Sequence, residues 1–170
     1  MRAPGKRLLF YGYGNPGRGD DGLGPALAAA IEQLDLPSTT VDSNYQLTVE
    51  DAAELAENDV VVFADADASG REPFWFGRVE PSAHLGISSH GVSPGALLAL
   101  TEVLFGHRTE AYVLGIRGYE FGELCESLSS RAQANLEQAV RFAKRALMER
   151  SFGEYLGRYG SGPGAGRQDV

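Results

Sequence analysis

Apolar positions along this chain fall into short continuous runs that alternate with stretches of helical period. Lys6–Tyr13, KRLLFYGY, is the first such run and ends among glycines, which predicts a buried strand. Leu23, Leu27, Ile31 and Leu34 then recur three or four apart, and Pro25 is tolerated in a first turn, so a helix follows. Thr39–Tyr45 reads as a second strand. A second helix is predicted from Thr48, because TVEDAAELAEN places Asp51 three residues after a threonine in a near capping box. The strongest strand is Asp59–Ala66, DVVVFADA, where Val60, Val61, Val62 and Phe63 form the unbroken run expected of a strand covered on both faces. Asp65 stands at its end.

Pro73–Val79 is rich in β-forming residues and predicts a further strand, followed by PSAHLGISSHGVSPG, a loop dense in serine, glycine and proline. The loop enters an almost wholly apolar helix, GALLALTEVLFG, which Gly106 ends. Glu110–Arg117 is a last strand, and Ser130–Glu149 a long helix with Leu136, Val140, Ala143 and Leu147 along one stripe. This alternation predicts an α/β fold of three layers, a twisted, mostly parallel sheet of about five strands with flanking helices. After Ser151 the chain carries six glycines and little apolar pattern. Residues 1–150 therefore read as a single domain and residues 151–170 as a Gly-rich, mobile tail.

Folds of this kind bind ligands beyond the carboxyl ends of their strands. If the first strand lies between the second and third, Asp20 and Asp21 after strand one face Asp65 and Asp67 after strand three. The loop carrying Ser88, Ser89 and His90 can close over the same rim.

Composition narrows the partners. The 170 residues are 43% apolar and 22% charged, and no apolar run is long enough for a membrane span. The short basic-then-apolar N-terminus breaks into glycines without a cleavage signal. A lone Cys125 forms no internal disulfide, which fits a cytoplasmic protein. A net charge of −8 argues against a nucleic-acid partner, since such sites rest on clustered lysine and arginine.

The loop GYGNPGRGDDGLG, residues 12–24, holds Gly12, Gly14 and Gly17 in the spacing of a dinucleotide-binding turn, and Asp42 near the end of strand two could serve as its ribose-binding acid. Against a phosphate, Pro16 removes one amide, and Asp20 and Asp21 bring negative charge to the point where an anion would sit. Those acids favour a cation instead. One of the two can serve as a helix cap, Asp20 being the candidate. Asn15 reads as a loop-shaping residue. Asp67 reads as a supporting or solvent-facing acid, and His84 and His107 as ordinary surface or helix-end residues. Asp21, Asp65 and His90 then remain as an oxygen and nitrogen donor set suited to a borderline divalent metal.

These residues resemble the hydrogenase maturation proteases, endopeptidases that remove a short C-terminal extension from the large subunit of nickel-iron hydrogenases. The resemblance runs from Leu8 to about Glu149 and rests on three motifs in order: GYGNPGRGDDGLG, FADAD and SSHGVSPGALLAL. Asp21 falls at the family's metal-contacting acid, where glutamate is frequent, Asp65 at its strand-end aspartate and His90 at its histidine. The resemblance implies a phosphorylase/hydrolase-like sheet and a precursor of the hydrogenase large subunit as partner. It also implies nickel carried by that substrate and no organic cofactor. In one mechanism the three side chains complete the metal's coordination, so that the metal polarises the scissile carbonyl or acidifies a water. In another the two aspartates activate water directly. Peptidyl-tRNA hydrolase shares a G-x-G-N-P-G loop, but this chain has no histidine between the loop and His84, and its net charge of −8 does not suit a tRNA substrate, which calls for a basic surface. A non-catalytic module that grips a nickel-loaded precursor, and a nucleotide-binding α/β protein, are the alternative readings.

Overall fold

The structure, a computed structural model, describes residues 5–83, 91–122 and 124–160. Strands β1 (Leu8–Tyr13), β2 (Thr39–Asn44), β3 (Val60–Asp67), β4 (Phe74–Val79) and β5 (Glu110–Arg117) form one sheet in the order β2-β1-β3-β5-β4. All neighbours are parallel except β4, which joins the edge antiparallel to β5. Helices α1 (Leu23–Glu32), α2 (Asp51–Ala56), α3 (Pro94–Phe105), α4 (Ser130–Glu149) and α5 (Phe152–Tyr159) flank it. The α/β sheet sandwich expected from the alternating pattern is thus the observed fold, with β1 between β2 and β3.

Strand alternation divides the core into two layers. Leu8, Phe10, Val60, Val62 and Leu114 are buried on one face with α1, α4 and α5, whereas Leu9, Tyr11, Val61 and Phe63 are buried on the other with α2 and α3. Both faces of β1 and β3 are covered, which is why their sequences are continuously apolar. Among the described residues no helix is long and apolar enough to cross a membrane.

The helix ends follow local chemistry. Ser93 caps α3 by accepting from Ala96 N at 3.2 Å, Pro94 fills its first turn, and Gly106 closes it at φ 62°. Ser129 caps α4, accepting from Ala132 N at 3.3 Å. The second helix differs from expectation: it begins at Asp51, not Thr48. The Thr48 amide and hydroxyl both donate to Asp51 Oδ2, at 2.7 and 3.3 Å, so only the acid's half of the capping box forms.

The tail also departs from expectation. Residues 152–159 form α5, with Phe152 and Tyr155 buried. Phe152, Tyr155 and Tyr159 recur on one helical face and pack with Phe74, Phe76, Tyr112 and Phe142 in an aromatic cluster. Three aromatics at helical spacing bury enough surface to offset the cost of ordering two glycines. Residues 161–170 lie outside the described part.

Candidate active site

The first strand ends in a loop folded back on itself. Gly14 adopts φ 141°, and a Cβ there would fall 2.0 Å from the Asp21 carbonyl oxygen, so only glycine allows the approach. Asn15 N donates to Asp21 Oδ2 at 2.8 Å, and Asn15 Oδ1 accepts from Gly17 N at 2.9 Å. Asn15 therefore shapes the loop as expected, and it also fixes the Asp21 carboxylate.

The loop's hydrogen bonds bear directly on the phosphate reading. Gly14 N donates to Asn44 O, Arg18 N to Asn15 O, Gly19 N to Cys125 O, Asp20 N to Glu120 O and Asp21 N to Arg18 O. With Asn15 and Gly17 already engaged and Pro16 lacking an N–H, every amide from Gly14 to Asp21 is spent inside the protein. A phosphate cradle needs free amides converging on the anion. This loop offers a carboxylate instead. Asp42, the ribose-binding candidate, is exposed on β2 and accepts from its neighbour Ser43 N.

Asp20 and Asp21 face opposite ways. Asp20 is fully buried and caps neither the 3-10 helix Gly19–Gly22 nor α1. Its carboxylate accepts from Tyr119 N at 2.8 Å, Glu120 N at 2.9 Å, Ser129 N at 2.7 Å and Ser129 Oγ at 2.7 Å. Asp20 thus pins the segment between β5 and α4. Burial alone raises its pKa, but the hydrogen bonds from Glu120, Ser129 and Tyr119 outweigh burial and hold the group below the ordinary carboxylate range.

Asp21 turns into a cavity of about 330 Å³ at the carboxyl edge of the sheet, walled by Tyr13, Asn15, Arg18, Gln46 and Asp65. Asp65 reaches it from the end of β3, its Oδ1 accepting from Ala66 N at 2.8 Å. Gly12 of β1 pairs with Ala64 of β3, which brings Tyr13 beside Asp65 on the face of Tyr11 and Phe63. Burial pushes the Asp65 pKa up to about 7, with the charge of Asp21 adding to the rise and hydrogen bonds from Ala66 N and Tyr13 opposing it. Burial and the neighbouring Asp65 charge likewise hold the Tyr13 hydroxyl well above its usual range.

Two of the three expected site residues, Asp21 and Asp65, therefore line one cavity. The third, His90, lies outside the described residues, as do His84, Ser88 and Ser89. Among the described residues no group of three or more histidine, cysteine, aspartate or glutamate side chains is placed to hold a metal ion. His107 has a structural role, its Nε2 lying 2.9 Å from the Asn58 carbonyl. Asp67, two residues further along β3, does not line the acid cavity and accepts from Ser69 N, Gly70 N and Trp75 Nε1. Sequence reasoning passed over Tyr13, Arg18 and Gln46. Tyr13 could have been found from strand period, since it continues the Leu9, Tyr11 face to the sheet edge.

No protein-family model matches the chain, and no curated protein matches it in sequence. Solved structures do match. The NiFe hydrogenase maturation protease HycI from Thermococcus kodakarensis superposes with a TM-score of 0.66 at 24% identity, over 85% of this chain and 94% of that one. The hydrogenase maturating endopeptidase HybD from Escherichia coli gives 0.66 at 21% identity, over 85% and 94%. The hydrogenase 2 maturation peptidase of a Thaumarchaeota archaeon gives 0.62 at 24%, over 84% and 99%. The chain thus has the fold of the hydrogenase maturation proteases.

Proposed function

We propose that this chain is a cytoplasmic endopeptidase that matures a nickel-iron hydrogenase large subunit, removing a C-terminal extension after nickel has been inserted. The observation that carries the reading is the meeting of Asp21 and Asp65 in one cavity at the carboxyl edge of a sheet with this fold. Nickel belongs to the substrate in this account and identifies a precursor ready for cutting. Asp21, Asp65 and His90 supply oxygen and nitrogen donors to it, a set that suits a borderline divalent ion. Such an ion polarises a carbonyl and acidifies water. The chain's part is to hold Asp21 through the Asn15 amide and Asp65 through the Ala66 amide, so that both carboxylates are already oriented. No serine or cysteine nucleophile is called for, and Cys125 faces Ser127 rather than the acids.

The direct test is incubation with a nickel-loaded large-subunit precursor and, in parallel, with the nickel-free form. The loaded precursor should lose mass from its C-terminus and the empty one should not. An intact loaded precursor overturns the reading, and stable capture without cutting would favour a binding module.

Asp65 gives the reaction a pH dependence. Its raised pKa of about 7 leaves the group neutral below that pH and charged above it. Only the charged form attracts a cation. In the free enzyme kcat/KM should therefore rise with pH through about 7 and then level off. A flat profile from mildly acidic to mildly alkaline pH would remove Asp65 from the metal-contacting set.

A further inference from the structure

A row of residues crosses the sheet on the face covered by α2 and α3. Asp65 on β3 pairs with Gly115 on β5, and Gly115 pairs with Trp75 on β4. Tyr13 on β1 stands on the other side of Asp65, one residue past the Gly12 and Ala64 pair. Paired side chains project to one face, so the row reads tyrosine, aspartate, glycine, tryptophan. The missing side chain at Gly115 leaves a gap, and the indole lies across it. A Cβ on Gly115 would stand 2.2 Å from Trp75 Nε1, and one on Gly77 would stand 3.0 Å from Trp75 Cζ3.

The ring is fixed as well as accommodated. Trp75 Nε1 donates to Asp67 Oδ2 at 2.6 Å, and Asp67 Oδ1 accepts from Ser69 N at 2.9 Å and Gly70 N at 2.8 Å. The indole thereby forms one wall of a cavity of about 320 Å³ that Tyr13, Asp65, Asp67, Val79, Val113 and Pro94 also line. Tyr13 and Asp65 also wall the acid cavity. Two cavities, one acidic and one mainly apolar, thus meet at the Asp65 carboxylate.

We propose that the second cavity is a specificity subsite that takes an apolar side chain of the precursor, from a residue adjoining the cleaved bond. The inference rests on the peptidase reading and deepens it. An apolar occupant follows from the walls: Trp75, Val79, Val113 and Pro94 offer an apolar surface with no free donor, and both oxygens of the Asp67 carboxylate are already engaged by N–H groups. Asp65 faces the metal-bearing part of the same substrate. A peptide laid across Asp65 therefore presents its metal to one cavity and a neighbouring side chain to the other.

The test uses nickel-loaded precursors carrying leucine, phenylalanine, alanine or aspartate in turn on each side of the cleaved bond. At one of the two positions kcat/KM should fall about tenfold or more from leucine to alanine, and further for aspartate. Trp75→Ala should erase that preference while Trp75→Phe, which keeps an aromatic wall, should retain it. Equal rates for all four residues at both positions in the wild-type protein overturn the subsite. Trp75 is also the chain's single tryptophan, so its emission reports occupancy without cutting. Tryptophan-free peptides spanning the cleavage site should shift that emission when they carry leucine, and leave it unchanged when they carry aspartate. A leucine-dependent shift with no cutting of any precursor preserves the subsite and overturns the peptidase reading. Cutting with an emission indifferent to that side chain overturns the subsite alone.

Discussion

Replacing Asp21 or Asp65 by asparagine is expected to lower cleavage of a nickel-loaded precursor on the order of 10³-fold, with the fold left intact. A metal's polarisation of a reacting carbonyl is worth several kcal/mol, and each 1.36 kcal/mol or so is a factor of ten in rate. The carboxamide keeps the shape of the carboxylate and an oxygen to accept from Asn15 N or Ala66 N, so the loop and the end of β3 keep their hydrogen bonds. What it loses is the negative charge that a cation requires. Asp42→Asn removes an exposed acid from β2, outside the acid cavity, and should cut at the wild-type rate. Intact-mass measurement of the precursor over time separates these outcomes, with circular dichroism to verify folding. Wild-type rates in Asp21→Asn or Asp65→Asn would take that residue out of the site.

One residue earlier, loss of the carboxylate acts on folding instead of cleavage. Asp20→Ala should destabilise the fold by about 3–5 kcal/mol, because it strands three backbone amides and a serine hydroxyl that converge on one buried carboxylate. For a chain of this length that corresponds to a fall in Tm of roughly 10 °C. Asparagine is no rescue, since its NH₂ group would face donors where the carboxylate now accepts. The stabilisation also has a pH signature. The native pKa of Asp20 lies below its unfolded value, so its contribution is fully present above the ordinary carboxylate range and is lost as pH falls through the lowered native pKa. Thermal melts of the wild-type and Asp20→Ala proteins should accordingly converge in strong acid. Equal Tm values at neutral pH would show that Asp20 does not hold the segment between β5 and α4.

The contrast between these neighbours marks where reading along the chain ends. Apolar runs, β-forming residues and helical stripes located all five strands, placing β5 and α4 at their observed bounds; β1, β3, β5 and α4 are buried by their neighbours and display that burial in their own period. The same pattern brought Asp21 and Asp65 to one sheet edge, since connections between parallel strands return each loop to the same end. Tail helix α5 escaped notice because glycines lower helix propensity locally, while the aromatic cluster that stabilises it comes from β4, β5 and α4.

Sequence by itself therefore determined the layered fold and the end of the sheet at which the acids gather. Tertiary structure alone decided which aspartate of the pair serves folding, because the acceptors' partners at Tyr119, Glu120 and Ser129 lie about a hundred residues away. It also decided that the glycine loop has no amide left for a phosphate, and that Gly115 opens a gap between Asp65 and Trp75. Hydrophobic period records what each residue buries against, but hydrogen-bond partners and cross-strand neighbours are set by register between distant segments, which no local pattern encodes.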